Sequence, residues 1–441
     1  MTRGIRLARV RTLLLLLVLG SAACSSRDPD GPARHLMLIS LDTLRADRLS
    51  CYGYGRATSP AIDALAREGA RFEQVVTETT WTLPAHLTLF TGLAPESHGV
   101  VRPDLRMAEE IPVLAEILRA AGFRTFAGTG GGFVARSFGF ARGFERFDDR
   151  QTDLAETLRD AKGFLNALRH DERAFVFVHT MDVHCPYEPA QEFADLFRSP
   201  EAAFVATDGR CGNPDFNSAA LTPGQVLHLS DRYDASIREA DAALGEFLGW
   251  LSSRDLRERS LVVVTSDHGE EFAEHGRIGH EGSVYAELLR VPLILAGPGI
   301  APSVIDEPIG LKDVAPTLLD LLGVAPAAGM DGSSYASRAT AGVRGEPAPR
   351  FSSVEWKVRL RSVVAHGYHL VLDEESGEAL LYSAEDRLET RDLSTQMPER
   401  AAALRALVEA HFAGTSRHAV RQREELDEDE LARLRALGYG R

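Results

Sequence analysis

The sequence predicts an α/β fold, a large and mostly parallel sheet flanked by helices, with a small α+β subdomain at the C-terminus. Three observations predict it. Apolar runs of strand length recur without polar alternation, helix-period segments separate them, and beyond about Arg338 short alternating runs broken by turns take over. Continuous apolar runs suit strands covered on both faces, and strands alternating with helices build a parallel sheet. The 441 residues suffice for one large core and a smaller unit. Hydrophobic content of 44% and charged content of 26% are those of a soluble globular chain. A net charge of −15 argues against a nucleic-acid partner, which would call for a basic face.

Residues 1–24 read as an export signal. Arg3, Arg6, Arg9 and Arg11 precede the apolar run Leu13 to Gly20, and small residues then lead to Cys24. The run is too short for a stable spanning helix. The SAAC ending resembles the lipobox of bacterial lipoproteins, although Ser21 stands where leucine is usual. The expectation is an exported protein, periplasmic or on the outer surface of a bacterium, held to the membrane through a lipidated Cys24. Residues 25–34 form a polar linker. Cys51, Cys185 and Cys211 then lie in an oxidising compartment. Cys185 and Cys211 flank a loop region and are candidates to pair, leaving Cys51 free and buried; spacing alone leaves the pairing open.

The catalytic α/β domain is expected over residues 35–344. Its strands are HLMLISL (His35 to Leu41), a strand around Arg71 to Thr77, FRTFAG (Phe123 to Gly128), AFVFVHT (Ala174 to Thr180), LVVVTS (Leu261 to Ser266) and VPLILAG (Val291 to Gly297). Helices are expected in SPAIDALAREGA, IPVLAEILRAAG, Asp153 to Leu168 and about Leu227 to Leu251. The Gly/Pro-rich GVRGEPAPR links to residues 345–441, where SVEWKV, LRSVVAHGYHLVLD and EALLYSA read as an antiparallel meander. A helix from Pro398 to Phe412 follows, and the amphipathic ELARLRALGY is expected to pack on the body.

Chemistry concentrates at the strand ends, where ligands bind in open α/β sheets. Asp42 follows the first strand, Asp182 and His184 follow AFVFVHT, and Asp267 and His268 follow LVVVTS. Thr82 opens WTLPAHLTLFTG (Trp81 to Gly92), where Pro84 marks a first helical turn. This places Thr82 at the N-cap, near the positive end of the helix dipole. His280 precedes the last buried strand. A rim of Asp, His and hydroxyl groups suits nucleophilic displacement at phosphorus or sulfur. Asp42, Asp267 and His268, with the Thr82 hydroxyl, would ligate one divalent metal, which lowers the pKa of that hydroxyl. His184 and His280 would stabilise charge on the substrate or protonate the leaving group.

These motifs resemble the sulfatase-like branch of the alkaline phosphatase superfamily, from about Leu36 to the C-terminus. The resemblance is carried by LISLDTLRADRLSCYGY, SPAIDALAREGARF, TLPAHLTLFTG, AGFRT, HTMDVHCPYEP, TSDHGEEFAEHG, YAELLRVPLILAGPG and KDVAPTLLDLLG. It implies metal ligation by Asp42, Asp267 and His268, a nucleophile at Thr82, and contact of His184 and His280 with the substrate anion. The departures carry as much information. Sulfatases place Cys or Ser at the Thr82 position and oxidise it to formylglycine, and threonine is not a substrate for that conversion; no formylglycine is expected. His86 replaces an arginine, Thr43 replaces a second carboxylate, and GTGGGF (Gly128 to Phe133) replaces a stretch bearing Lys and His. Phosphotransferase and phosphodiesterase branches use threonine directly, so phosphoester chemistry is favoured over sulfate.

Several residues admit two readings. Asp182 is a substrate-binding residue or second metal ligand, or only orients His184. His86 takes over part of the arginine's role at the substrate, or faces solvent on the first helical turn. Arg45 and Asp47 form a local ion pair, His275 is structural, and the Gly130 to Gly132 backbone can approach an anion. Mn²⁺, Zn²⁺ or Mg²⁺ fits the ligand set, and Ca²⁺ less well. The expected substrate is a small-molecule, glycan or lipid-headgroup ester. The alternatives are a sulfatase acting without formylglycine, and an inactive anion- or glycan-binding lipoprotein.

Overall fold

The computed structural model describes residues 1, 33–206, 221–280, 282–414, 418, 420–422, 426 and 428–436. The expected export signal, Cys24, the linker to residue 32, Cys211 and Glu281 lie outside the described residues. A nine-stranded sheet forms the centre. From one edge its strands run Ser303–Ile305, Ala70–Val76, Arg290–Ala296, Ser260–Thr265, His35–Leu41, Arg173–Thr180, Phe123–Gly128 and Arg146–Asp148, with Ile309–Gly310 beside Ala70–Val76. Neighbours are parallel except around Arg290–Ala296, which is antiparallel to both strands beside it. That reversal leaves Ala70–Val76 parallel to the first strand, so its C-terminal end opens onto the same rim.

The first strand shows why an unbroken apolar run was required. Its even residues Leu36 and Leu38 face one core with Leu83, Leu87, Leu118 and Leu318. Met37, Ile39 and Leu41 face the other with Ile62, Leu158, Leu244 and Phe247. The helices Thr82–Thr91, Leu114–Ala120 and Val314–Leu321 therefore cover one face, and Pro60–Glu68, Leu154–Asn166 and Pro223–Ser253 the other. Each such buried leucine contributes about 1.5–3 kcal/mol relative to exposure, so both layers are needed to hold the central strands.

Beyond residue 345 a four-stranded antiparallel sheet, Arg350–Val354, Leu360–Ala365, Tyr368–Asp373 and Ala379–Ser383, follows the expected meander. One face packs on the helix Pro398–Gly414 through Leu404 and Val408. Val354, Val371 and Tyr382 join the main core instead. Ser353 N–H donates to Glu78 O (2.9 Å) and Ser352 Oγ to Thr77 O (2.7 Å), which ties this sheet to the segment leading into Trp81. The helix Glu428–Ala436 sets Leu434 into the main core, so the amphipathic tail packs on the body as expected.

Cys185 is disulfide-bonded and Cys51 is a free thiol. Cys51 is half-buried rather than buried, and desolvation pushes its thiol up to about 12, which leaves it unreactive at neutral pH. Among the described residues no helix is long and apolar enough to cross a membrane.

Candidate functional site

The central strands deliver the site because three adjacent strands end together. Asp42 N–H donates to Thr180 O (3.0 Å), which continues the ladder one residue beyond the His35–Leu41 strand. The chain then turns sharply at Thr43, whose φ of 60 is unusual for a β-branched residue. Thr43 N–H donates to Asp267 Oδ1 (3.3 Å) and its hydroxyl to Val183 O (3.2 Å), so this strained turn is held from two neighbouring strand ends. Ser266 Oγ receives the Leu44 N–H (2.9 Å) and donates to His268 O (2.8 Å), closing the same corner.

Thr82 is the first residue of the helix Thr82–Thr91, not its N-cap; Trp81 occupies the cap position. Pro84 is therefore the third helical residue, where its missing N–H still forfeits no intrahelical bond. Gly92 ends the helix at φ 66, a left-handed C-cap that its N–H closes onto Thr88 O (2.9 Å). Shifted by one position, the Thr82 hydroxyl lies 3.5 Å from Asp42 Oδ2 and 3.3 Å from His268 Nε2. It is buried to 1% exposure, so its position is determined by packing rather than by solvent.

Asp42, Asp267 and His268 converge, with one ligand atom from each lying within 4.8 Å of the others. All three are fully buried. Asp42 Oδ1 and Asp267 Oδ2 have no hydrogen-bond partner, although buried carboxylate oxygens are normally satisfied. Burial pushes both carboxyls above their usual range, with the Asp42 charge adding to the shift of Asp267. His268 Nδ1 lies 3.0 Å from Gly269 O, so the N–H sits there and Nε2 turns toward Thr82 and the carboxylates. Two orphaned oxygens and one imidazole nitrogen in a closed site fit a divalent ion.

Three residues that the sequence reading passed over complete this arrangement. His179 Nε2 donates to Asp42 Oδ2 (3.0 Å) and fixes that carboxylate. Burial lowers His179 to about 4, so it acts as a neutral donor. Ser40 Oγ lies 3.1 Å from His86 Nε2, and Glu270 accepts from Tyr187 Oη (2.8 Å). A histidine inside the otherwise apolar run AFVFVHT was the available signal for His179.

His86 is fully buried, which excludes the solvent-facing reading. Its Nδ1 donates to Thr82 O (3.0 Å), and its ring meets His179 and Phe177. Desolvation lowers His86 to about 3, so its 3.4 Å approach to Asp267 Oδ2 is not an ion pair. Asp182 also departs from its expected role. Its Oδ2 accepts from Leu154 N–H (2.9 Å) at the start of the Leu154–Asn166 helix, and its Oδ1 from Thr180 Oγ1 (2.7 Å). Both oxygens are committed to capping, and neither faces the Asp42 group. Arg45 does pair with Asp47 (2.8 Å), and also with Glu274 (2.6 Å).

His184 and His280 do meet at the site. Their ring centroids are 5.1 Å apart, and His280 lies 4.6 Å from His268. His184 Nδ1 donates to Cys185 O (2.5 Å) and His280 Nδ1 to Glu270 Oε1 (3.1 Å). Burial holds both below the usual histidine value. Trp81, Phe133 and Trp356 form an aromatic wall beside Thr82, with Trp81 and Trp356 centroids 4.8 Å apart.

The sequence profile of the Sulfatase family matches residues 34–324. A choline-sulfatase of Rhizobium meliloti is 26% identical over 326 residues, covering 60% of this chain and 63% of that protein. The chain thus spans less than two thirds of that relative. An ulvan-active sulfatase of Formosa agariphila is 25% identical over 374 residues, covering 75% of this chain and 71% of its own. Among solved structures, the phosphonate monoester hydrolase of Agrobacterium radiobacter superimposes with a TM-score of 0.70 at 20% identity, covering 87% of this chain and 95% of that one. At that identity the match speaks for the fold.

Proposed function

The chain belongs to the sulfatase family of hydrolases, and within that family we propose that it cleaves phosphoesters through a covalent intermediate on Thr82. The observation that carries this reading is the Thr82 hydroxyl at 3.3 Å from His268 Nε2 and 3.5 Å from Asp42 Oδ2, beside two unpartnered carboxylate oxygens. A secondary hydroxyl cannot become the aldehyde that sulfate release through formylglycine needs, whereas a threonyl phosphate can be hydrolysed directly. The fold carries phosphorus chemistry as well as sulfur, as the name of the phosphonate monoester hydrolase states.

Asp42, Asp267, His268 and the Thr82 hydroxyl would hold one divalent ion, which would acidify that hydroxyl and offset charge on the phosphoryl oxygens. The chain's own residues do the rest. Thr82 Oγ1 passes its proton to the neutral imidazole of His280 or His184 and bonds to phosphorus as the P–O bond to the leaving group breaks. His179 and His86 keep the carboxylate and the helix start in register. The neutral imidazole of His280 or His184 that takes up the Thr82 proton returns it to the leaving oxygen. Water then attacks phosphorus, the Oγ1–P bond breaks, and threonine is regenerated. The substrate is a small-molecule, glycan or lipid-headgroup ester, met outside the cytoplasm if residues 1–24 act as the export signal that their sequence resembles.

The test uses p-nitrophenyl phosphate, bis-p-nitrophenyl phosphate and p-nitrophenyl sulfate, each with Mn²⁺, Zn²⁺, Mg²⁺, Ca²⁺ or EDTA. Metal-dependent turnover of a phosphate ester is expected, and turnover of the sulfate alone would sink the phosphoester reading. Sulfate-ester hydrolysis without formylglycine is the second reading, favoured by the names of the curated relatives, a choline-sulfatase and an ulvan-active sulfatase.

A further inference from the structure

The three strands that end at the site also begin together, and each begins beside an arginine. In the ladders His35 stands opposite Ala174 on one side and Ser260 on the other. One residue earlier, the same register sets Arg34 between Arg173 and Arg259, and Arg34 N–H donates to Arg259 O (2.8 Å). Neighbouring strands lie about 4.8 Å apart, so three cations form one row across the base of the sheet. All three are half-buried. Arg173 donates to Leu322 O (2.9 Å) and stands 4.0 Å over the Phe123 ring, while Arg259 Nε donates to Asp255 O (3.0 Å). These contacts hold the guanidiniums without neutralising them. Among the described residues no carboxylate pairs with any of the three, whereas nearby Arg124 has Glu145 and Glu172, and Arg257 has Glu68. Burial and all three guanidiniums lower His35 to about 4, and burial and Arg34 lower Arg173. Like charges side by side across strands cost stability, and an anion is the partner that offsets them.

This row lies at the opposite end of the strands from Asp42 and Asp267. The seven residues of the His35–Leu41 strand, at about 3.3 Å each, put roughly 23 Å between the two ends. The row also lies where the chain enters the fold: Ala33 is buried, and Cys24 stands ten residues before Arg34. A lipid on Cys24 would tether this end within about 36 Å of the bilayer, the extended reach of ten residues. The chain's net charge of −15 sets it against an anionic surface, so a local cationic face is what can dock on one. We propose that Arg34, Arg173 and Arg259 form a docking site for the phosphate groups of anionic phospholipids. The base of the sheet then rests on the membrane, and the rim carrying Asp42 and Thr82 opens away from it. The tether rests on the lipoprotein reading of residues 1–24, and the docking does not depend on which ester the site cleaves.

The test sediments the mature chain from residue 24, carrying Cys24→Ser to withhold the lipid, with vesicles. Vesicles of equal parts phosphatidylglycerol and phosphatidylcholine are expected to bind it, vesicles of phosphatidylcholine alone are not, and rising salt should release it. Arg34→Gln, Arg173→Gln and Arg259→Gln combined should weaken binding at least about 10-fold. Removing the same charge elsewhere, through Arg102→Gln, Arg106→Gln and Arg421→Gln, should leave binding unchanged. Arg34→Gln alone should weaken it about 5-fold at unchanged Tm, which decides the matter even where the triple variant fails to fold. No binding to the anionic vesicles, or equal loss in the base and control variants, overturns the proposal. Calorimetric binding of inorganic phosphate without vesicle binding also overturns it, leaving a site for soluble anions. Palmitate labelling of the full-length chain in cells, lost in Cys24→Ser, tests the anchor separately. A chain that takes up no palmitate overturns the lipoprotein reading alone.

Discussion

At the scale of single residues, the site is built by hydrogen-bonding one oxygen of Asp42 and one of Asp267 and leaving Asp42 Oδ1 and Asp267 Oδ2 without a hydrogen bond beside His268. Thr82→Ala is expected to lower kcat for phosphate esters by at least about 10³-fold with metal binding retained, because a nucleophile has no substitute. Unchanged turnover in that variant would exclude the covalent route. The orphaned oxygens of Asp42 and Asp267 make a second prediction. Added Mn²⁺ or Zn²⁺ should raise the Tm of the wild type by mass action, and Asp267→Asn should abolish that rise. A metal-independent Tm in the wild type would remove the ion from the site. His179, unnoticed in the sequence reading, behaves as a positioning residue. His179→Ala should weaken the metal-dependent Tm rise, and His179→Gln should restore part of it through a donor to Asp42.

At the scale of elements, catalytic geometry depends on how one short helix is seated. His86 pins it, donating to Thr82 O and meeting Ser40 of the first strand. Ser40→Ala leaves a buried imidazole nitrogen without its partner, at a cost of about 1–3 kcal/mol, and denaturant unfolding measures it. The strand-end loop at Gly269 is equally constrained. A Cβ there would lie 1.8 Å from Glu287 O, and backbone cannot yield as a side chain does. Gly269→Ala is therefore expected to destabilise by about 1–3 kcal/mol or more and to displace His268 next to it, read as lost metal response. A Gly269→Ala protein with wild-type Tm and metal response would contradict this packing.

At the scale of the whole molecule, the C-terminal sheet is bound to the main body by a buried acid–histidine cluster. His369 Nδ1 meets Glu389 Oε1 (2.6 Å), while Glu389 Oε2 accepts from Ala286 N–H (2.9 Å). His275 bridges Glu287 Oε1 (2.6 Å) and Glu389 O (3.2 Å). This gives the expected structural role of His275 a specific content. Against the cost of burial, the hydrogen bond and charge of Glu287 raise His275 to about 9, above the usual 6.5. A raised histidine stabilises fully below pH 6.5, and that contribution is lost as pH rises through about 9. Chemical denaturation across this window should show the decline in the wild type and a flatter profile in His275→Gln. The same junction holds in place the sheet whose turn packs Trp356 against Trp81, the residue before Thr82.

The sequence by itself determined the alternation of buried strands and helices, the antiparallel meander, and the identities of Asp42, Thr82, Asp267 and His268. Those readings are local: an unbroken apolar run, a proline three residues into a helix, and polar residues just past a strand end each carry their meaning within a few positions. Only the tertiary structure decided what each polar side chain faces. Asp182 follows a strand as Asp42 does, yet it caps a helix that begins 28 residues earlier in the chain. His86 was open between a substrate contact and a solvent-facing turn, and it lies in the core because a sheet and a second layer close over it. His179 sat inside a strand and reaches Asp42 from the neighbouring one, while Trp356 comes to Trp81 from a different sheet altogether. Contacts between distant segments follow from strand order and layer packing, and neither is written in the spacing of any one motif.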